Sequence, residues 1–156
     1  MNPTCVVGID PGITGAIAFY FRETPSRVAV QDLPLAGGEI SAPLLADLIR
    51  SFAPSMALIE RVSAMPGQGV VSMFNFGRAY GDVRGVIGAL CIPVHFATPQ
   101  KWKKHFRLSS DKEEARALAL RLFPACADHF KLKKHHGRAE AALIAKFGAE
   151  TIGGGA

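Results

Sequence analysis

The sequence is short of cysteine, of acid and of long apolar runs. Its three cysteines, Cys5, Cys91 and Cys126, stand far apart among apolar neighbours. That pattern excludes a disulfide framework and a zinc site of closely spaced thiols, and it reads as small core residues in a reducing compartment. No apolar stretch reaches the roughly 20 residues that span a bilayer, and the N-terminus lacks a basic-then-apolar leader, so the expected location is cytoplasmic. Charged residues make up only 20% of the chain against 49% hydrophobic ones. A disordered tail is thereby excluded and a compact fold expected. At 156 residues the chain is long enough to bury a real core, and one domain is expected over residues 1–152, followed by a frayed tail at 153–156.

The shortage of acid has a counterpart. Eighteen Lys and Arg outnumber thirteen Asp and Glu, a net charge of +5, which favours a polyanionic partner. The excess sits in the C-terminal third. Lys101, Lys103, Lys104, Arg107, Lys112 and Arg116 fall in one segment, and Lys131, Lys133, Lys134 and Arg138 in another. The lysines at 101, 103, 104, 133 and 134, with Arg107 and Arg138, are the expected phosphate contacts of a nucleic-acid-binding surface.

Apolar runs predict strands at Thr4–Asp10, Ala16–Phe21 and Val28–Asp32, joined by turns and therefore antiparallel. Helical periodicity follows in "SAPLLADLIRSFA", with Ser41 as N-cap and Leu44, Leu45, Leu48 and Ile49 on one face. "MALIE" predicts a fourth strand, residues 70–90 a long helix, and "IPVHF" a fifth strand. "DKEEARALALRLF" and "GRAEAALIAKFGAE" predict two more helices. This order implies an α/β fold: a mixed five-stranded sheet, three antiparallel strands and then two parallel ones, with helices on both faces. A right-handed crossover returns the fourth strand beside the first.

That topology gives Asp10 and Glu60 a meaning, since both end apolar strands at the same edge of the sheet. In "HHGRAEAALIA", His136 and Glu140 lie four residues apart and share a helical face. Three carboxylates converging in a half-buried cleft repel one another, and hard divalent cations such as Mg²⁺ or Mn²⁺ resolve the conflict. Two such ions about 3.5–4 Å apart are a known device for phosphodiester hydrolysis. Taken singly, each acid has a plainer explanation: a turn cap for Asp10, an ion pair with Arg61 for Glu60, a solvated first-turn acid for Glu140.

Four segments together, "GIDPGITGA", "ALIERVSAMPGQG", "SSDKEEARALALRLFP" and "GRAEAALIA", resemble the RuvC-type Holliday junction resolvases of the RNase H-like superfamily, particularly their phage and prophage relatives. The resemblance covers nearly the whole chain. It implies an RNase H-like nuclease domain and a metal-dependent crossover junction endodeoxyribonuclease, with two ions per active site on Asp10, Glu60 and Glu140. It places Lys112 near the scissile phosphate, and it implies a homodimer that cuts four-way DNA junctions symmetrically. Where relatives usually carry a fourth acid, this chain has His136 or Gly137. His136 is then either a fourth metal ligand or, with its basic neighbours, a phosphate contact. A junction-DNA-binding protein with the same fold and little or no catalysis is the alternative function. The actin-like sugar kinases also have a phosphate loop resembling "DPGITG", but they require two such domains.

Three further features carry expectations. Met65, on the loop after Glu60, is either a side chain offered to an unstacked DNA base or a mobile loop tip. Trp102 among lysines is either a stacking residue for nucleic acid or the anchor of a short helix. Gly77, Gly81 and Gly85 each cost about 1 kcal/mol in a helix interior, which calls for close packing on the sheet or across a two-fold axis, with Phe74, Phe76 and Tyr80 mostly in the core.

Overall fold

A computed structural model describes residues 4–152; the expected tail at 153–156 lies outside them. The first three strands, β1 (Cys5–Asp10), β2 (Ala16–Phe21) and β3 (Val28–Asp32), form the antiparallel meander that their turns dictate. "PLAGG", expected only to bound a strand, opens a two-stranded hairpin, β4 (Leu35–Ala36) and β5 (Glu39–Ile40). Gly37 and Gly38 at its tip have φ of +59° and +78°, the left-handed conformation that tight hairpin turns demand.

Helix α1 (Ala42–Phe52) is capped by the Ser41 hydroxyl, which accepts from the Leu44 amide. Leu45 and Ile49 are buried, whereas Leu44 stays 53% exposed. Adjacent helical positions diverge by about 100°, so Leu44 and Leu45 cannot both point at one core. Strand β6 (Met56–Glu60) then runs parallel to β1, and β7 (Val94–Ala97) parallel to β6, with α2 (Val70–Ala89) as the crossover. The five-stranded sheet has the order β3-β2-β1-β6-β7. The fold is therefore the α/β mixed sheet expected from the sequence.

After β7 come α3 (Pro99–His105), α4 (Lys112–Leu122), two 3-10 turns (Pro124–His129 and Lys133–His135) and α5 (His136–Thr151). Side chains alternate across the strands and divide the core. Val7, Ile9, Ile17, Phe19 and Ile59 pack on α1 and α2. Val6, Ala18 and Tyr20 pack on α4 and α5, and Leu58 meets Trp102, Leu118 and Leu143 on that second face. Helix α5 lies flat on β1 because Gly8 has no side chain; a Cβ there would collide with the backbone of Ala141 and Ala145. Among the described residues no helix is long and apolar enough to cross a membrane.

Helix α2 departs from expectation. Phe74 is 68% exposed, and Phe76 and Tyr80 are only half-buried. Gly77, Gly81, Gly85 and Gly88 look outward, and a Cβ on any of them would meet nothing within 4 Å. The core takes Ala79, Val83, Val86 and Ile87 instead.

Candidate active site

Asp10 is the last residue of β1 and Glu60 the last of the adjacent parallel strand β6, with Ile9 opposite Ile59 in the register. Parallel pairing brings two strand ends, and so two acids, to one edge. Glu140 comes from the second turn of α5, which Gly137 lets settle against β1; a Cβ at 137 would stand 3.2 Å from Asp10 Oδ2 and 3.3 Å from the Thr14 carbonyl oxygen. One carboxylate oxygen from each of Asp10, Glu60 and Glu140 lies within 4.8 Å of the others. The convergence read from the sequence is present.

The three acids share a cavity of about 860 Å³, whose walls include Lys103, Lys112, His136, Asn75 and Phe76. Burial pushes the Asp10 carboxyl well above its ordinary range, and the neighbouring charges of Glu140 and Glu60 push it further, while Lys112 and Lys103 pull it back. Glu140 is raised by burial against the same two lysines. Burial also raises Glu60, opposed by a hydrogen bond from Trp102. Desolvation and like-charge repulsion both favour the neutral acids, so a cation at this point stabilises the ionised set. Three oxygen donors of hard character fit Mg²⁺ or Mn²⁺, and the arrangement passes that chemical test.

His136 lines the cavity but stands outside the three-carboxylate group. Burial, then the Lys112 charge, lowers its pKa, and its Nδ1 is buried without a hydrogen-bond partner. A neutral ring with an open nitrogen is a competent acceptor or ligand.

Several residues sit differently from their sequence reading. Trp102 is fully buried, and its indole N–H donates to Glu60 Oε2 at 2.6 Å. It anchors a short helix, as one of its two readings had it, but it also touches the site. Arg61 is not the ion-pair partner of Glu60; its guanidinium lies 4.7 Å over the Phe96 ring. Lys103, read as a flanking phosphate contact, faces all three acids. Lys104 and Arg107 border an adjacent open groove, and Lys101 joins Lys104 on a further one. Lys133 and Lys134 are exposed on a 3-10 turn. Arg138 is engaged by Asp32 through bonds of 2.8 and 3.1 Å, tying α5 to β3. Met65 is 65% exposed and borders a separate cavity of about 650 Å³ that shares Phe76 and Pro99 with the acidic one. Lys112 begins α4, but the cap is Asp111, whose side chain accepts from the Glu113 amide, with Glu114 reaching back to Ser109 N. Ser109 and Ser110 therefore do not cap it, and acids already occupy the helix start.

No protein-family sequence model matches the chain, and no curated protein sequence does. Solved structures do. RuvC of T. thermophilus, in complex with a Holliday junction substrate, superposes with a TM-score of 0.65 at 16% identity, over 96% of this chain and 97% of that one. The yeast mitochondrial Holliday junction resolvase Ydc2 gives 0.59 at 18% identity, covering 93% of this chain and 78% of that chain. The fowlpox virus Holliday junction resolvase gives 0.58 at 14%, over 96% and 99%. Over 93–96% of its length, this chain has the fold of the RuvC-type resolvases.

Proposed function

We propose that the protein is a metal-dependent endonuclease that resolves four-way DNA junctions by phosphodiester hydrolysis. The observation that supports it most is the trio Asp10, Glu60 and Glu140, brought within 4.8 Å at a strand-end cleft in a fold shared with junction resolvases. The carboxylates would hold one or two Mg²⁺ or Mn²⁺ ions, with His136 as a candidate fourth donor; bound there, such ions supply an activated water and charge neutralisation at the leaving oxygen. Lys112 and Lys103 line the same cavity as the acids and would bring ammonium groups to a phosphate bound there. Lys112 is the one proposed to stabilise charge that develops in the transition state. Lys101, Lys104, Arg107, Lys133 and Lys134 hold the flanking backbone, and Met65 meets a base at the branch point.

The assembly proposed is a homodimer through α2. Its outward glycine row and the exposed Val70, Val71 and Phe74 form an apolar face with room for a second helix. Sedimentation of the protein and of Gly81→Arg tests this: the wild type is expected as a dimer and the variant as a monomer.

One observation favours a second reading, junction binding with little catalysis: Gly137 and His136 stand where a fourth acid would complete the set. A cleavage assay on four-way junction DNA, with and without Mg²⁺ or Mn²⁺ and beside a gel shift, separates the two. Metal-dependent paired nicking supports the nuclease. Tight binding with no product under either metal leaves the binding protein.

A further inference from the structure

The chain contains a single tryptophan, and it lies inside the protein. Trp102 is 0% exposed, lodged among Ala97, Leu118, Leu143 and Phe147. An indole has one hydrogen-bonding group, the Nε1–H, and it cannot titrate or accept. Here that group is spent on Glu60 Oε2, at a distance of 2.6 Å, a short and well-buried bond. A carboxylate has two oxygens. With Oε2 held by the ring, Oε1 is left for another partner, and the bond restrains rotation about the last bond of Glu60.

The same ring is coupled to a lysine. Lys103 Nζ lies 5.4 Å from the centre of the indole and lines the acidic cavity. Helix α3 is set by the Thr98 hydroxyl, which accepts from the Lys101 amide, and by Pro99 in its first turn. Its attachment to the site is Trp102. One side chain thus bonds to an acid of the site and lies against one of its lysines.

We propose that Trp102 is a positioning residue of the active site, orienting Glu60 for metal through its indole N–H. The inference rests on the metal-nuclease reading above. Removal of the donor with an aromatic ring retained, Trp102→Phe, should weaken Mn²⁺ affinity by about 10–100-fold, the usual cost of losing a group that orients a metal ligand. Junction affinity should stay within about twofold, because the phosphate contacts are elsewhere.

The test follows Mn²⁺ binding through the electron paramagnetic resonance signal of the free ion, for wild type, Trp102→Phe and Leu118→Ala. Leu118 belongs to the same core cluster and makes no such bond, so it controls for lost packing. Weakened affinity in Trp102→Phe but not in Leu118→Ala supports the inference. Equal affinity in wild type and Trp102→Phe overturns it and leaves the nuclease reading standing. Absence of Mn²⁺ binding by the wild type overturns both. Should Trp102→Phe fail to fold, ¹⁵N-labelled wild type decides, since one tryptophan gives one indole N–H resonance. That resonance should be protected from solvent exchange and move on addition of Mg²⁺, and the Mg²⁺ response should vanish in Glu60→Gln. A resonance that exchanges freely, or that ignores Mg²⁺ while calorimetry shows the ion bound, overturns the inference.

Discussion

The two halves of the candidate cavity are built in opposite ways. The acids stand on β1, β6 and α5, whose flanking residues Ile9, Ile59, Ala139 and Ala141 are all 0% exposed. The lysines stand on α3, a helix of seven residues, and on the first residue of α4, where Lys103 is half-buried and Lys112 exposed. A carboxylate held by a packed core cannot swing away from its neighbours, so repulsion among the three acids persists until a cation or protons relieve it. A lysine on a flexible stem gives up rotamer entropy of up to about 2 kcal/mol when it settles on a phosphate, and in exchange it adapts to where the phosphate arrives. The rigid half suits chemistry that needs fixed geometry, and the mobile half suits a substrate that must be gripped before it is cut.

The sharpest way to break this contrast is to neutralise the rigid half. Asp10→Asn, Glu60→Gln and Glu140→Gln should each abolish junction cleavage while gel-shift affinity is kept, since affinity comes mainly from phosphate contacts. Near-normal turnover in any of them removes that residue from the site. Next in size is Lys112→Ala, expected to slow single-turnover cleavage of bound junction on the order of a hundredfold. A wild-type rate at saturation would make Lys112 an ordinary phosphate contact. Lys103→Ala should also slow cleavage, because Lys103 faces the acids. Lys104→Ala and Arg107→Ala should leave the rate alone and reduce the salt slope of binding by about one unit each.

Smaller effects concern stability. Ions that bind only the folded state should add about 1.4 kcal/mol at tenfold saturation; a melting temperature unmoved by millimolar Mg²⁺ and Mn²⁺ would argue against a metal centre. The pH trend has a definite sign. Burial raises Glu60 and Glu140 above the ordinary 4.5 in the folded state, so folding favours their protonated forms. Their contribution is complete below pH 4.5 and is lost as pH rises through the raised values. Without metal, the melting temperature should fall from pH 4.5 toward neutrality, less steeply in Glu140→Gln. Equal slopes in the two proteins would contradict this.

Much of the acidic half was legible because its cause is local. An acid ending an apolar strand is conspicuous, parallel return of β6 follows from crossover handedness, and Glu140 sits in a helix with clear periodicity. Of the basic half, Lys112 was singled out through the family resemblance and lines the cavity; the rest was legible only as a cluster. Whether Lys103 or its neighbour Lys104 points inward depends on how α3 is rotated, and that is fixed by burial of Trp102 against α4 and α5 and its bond to Glu60, 42 residues away in sequence. The Arg138–Asp32 pair spans 106 residues and leaves no local trace. The Asp111 cap was available locally, since an aspartate directly precedes the first helical residue; the serines beside it are equally good caps by type. The exposure of Phe74 follows from α2 turning its glycine row outward, a choice that periodicity alone leaves open.

That row has a further consequence, for how the protein responds to its own concentration. Gly77, Gly81 and Gly85 lie in the interior of α2 with open space beside them, at a combined cost of about 3 kcal/mol relative to alanine. Among the described residues nothing packs against that row to offset it, so α2 should exchange its backbone amides with solvent more readily than the buried helix α5. Covering the row with a second copy would close those amides, and their exchange should slow as protein concentration rises. The first turns of α2 supply Ser72, Asn75 and Phe76 to the wall of the acidic cavity. Association would then firm the wall of the acidic cleft, and an isolated chain would hold its three acids beside a looser wall.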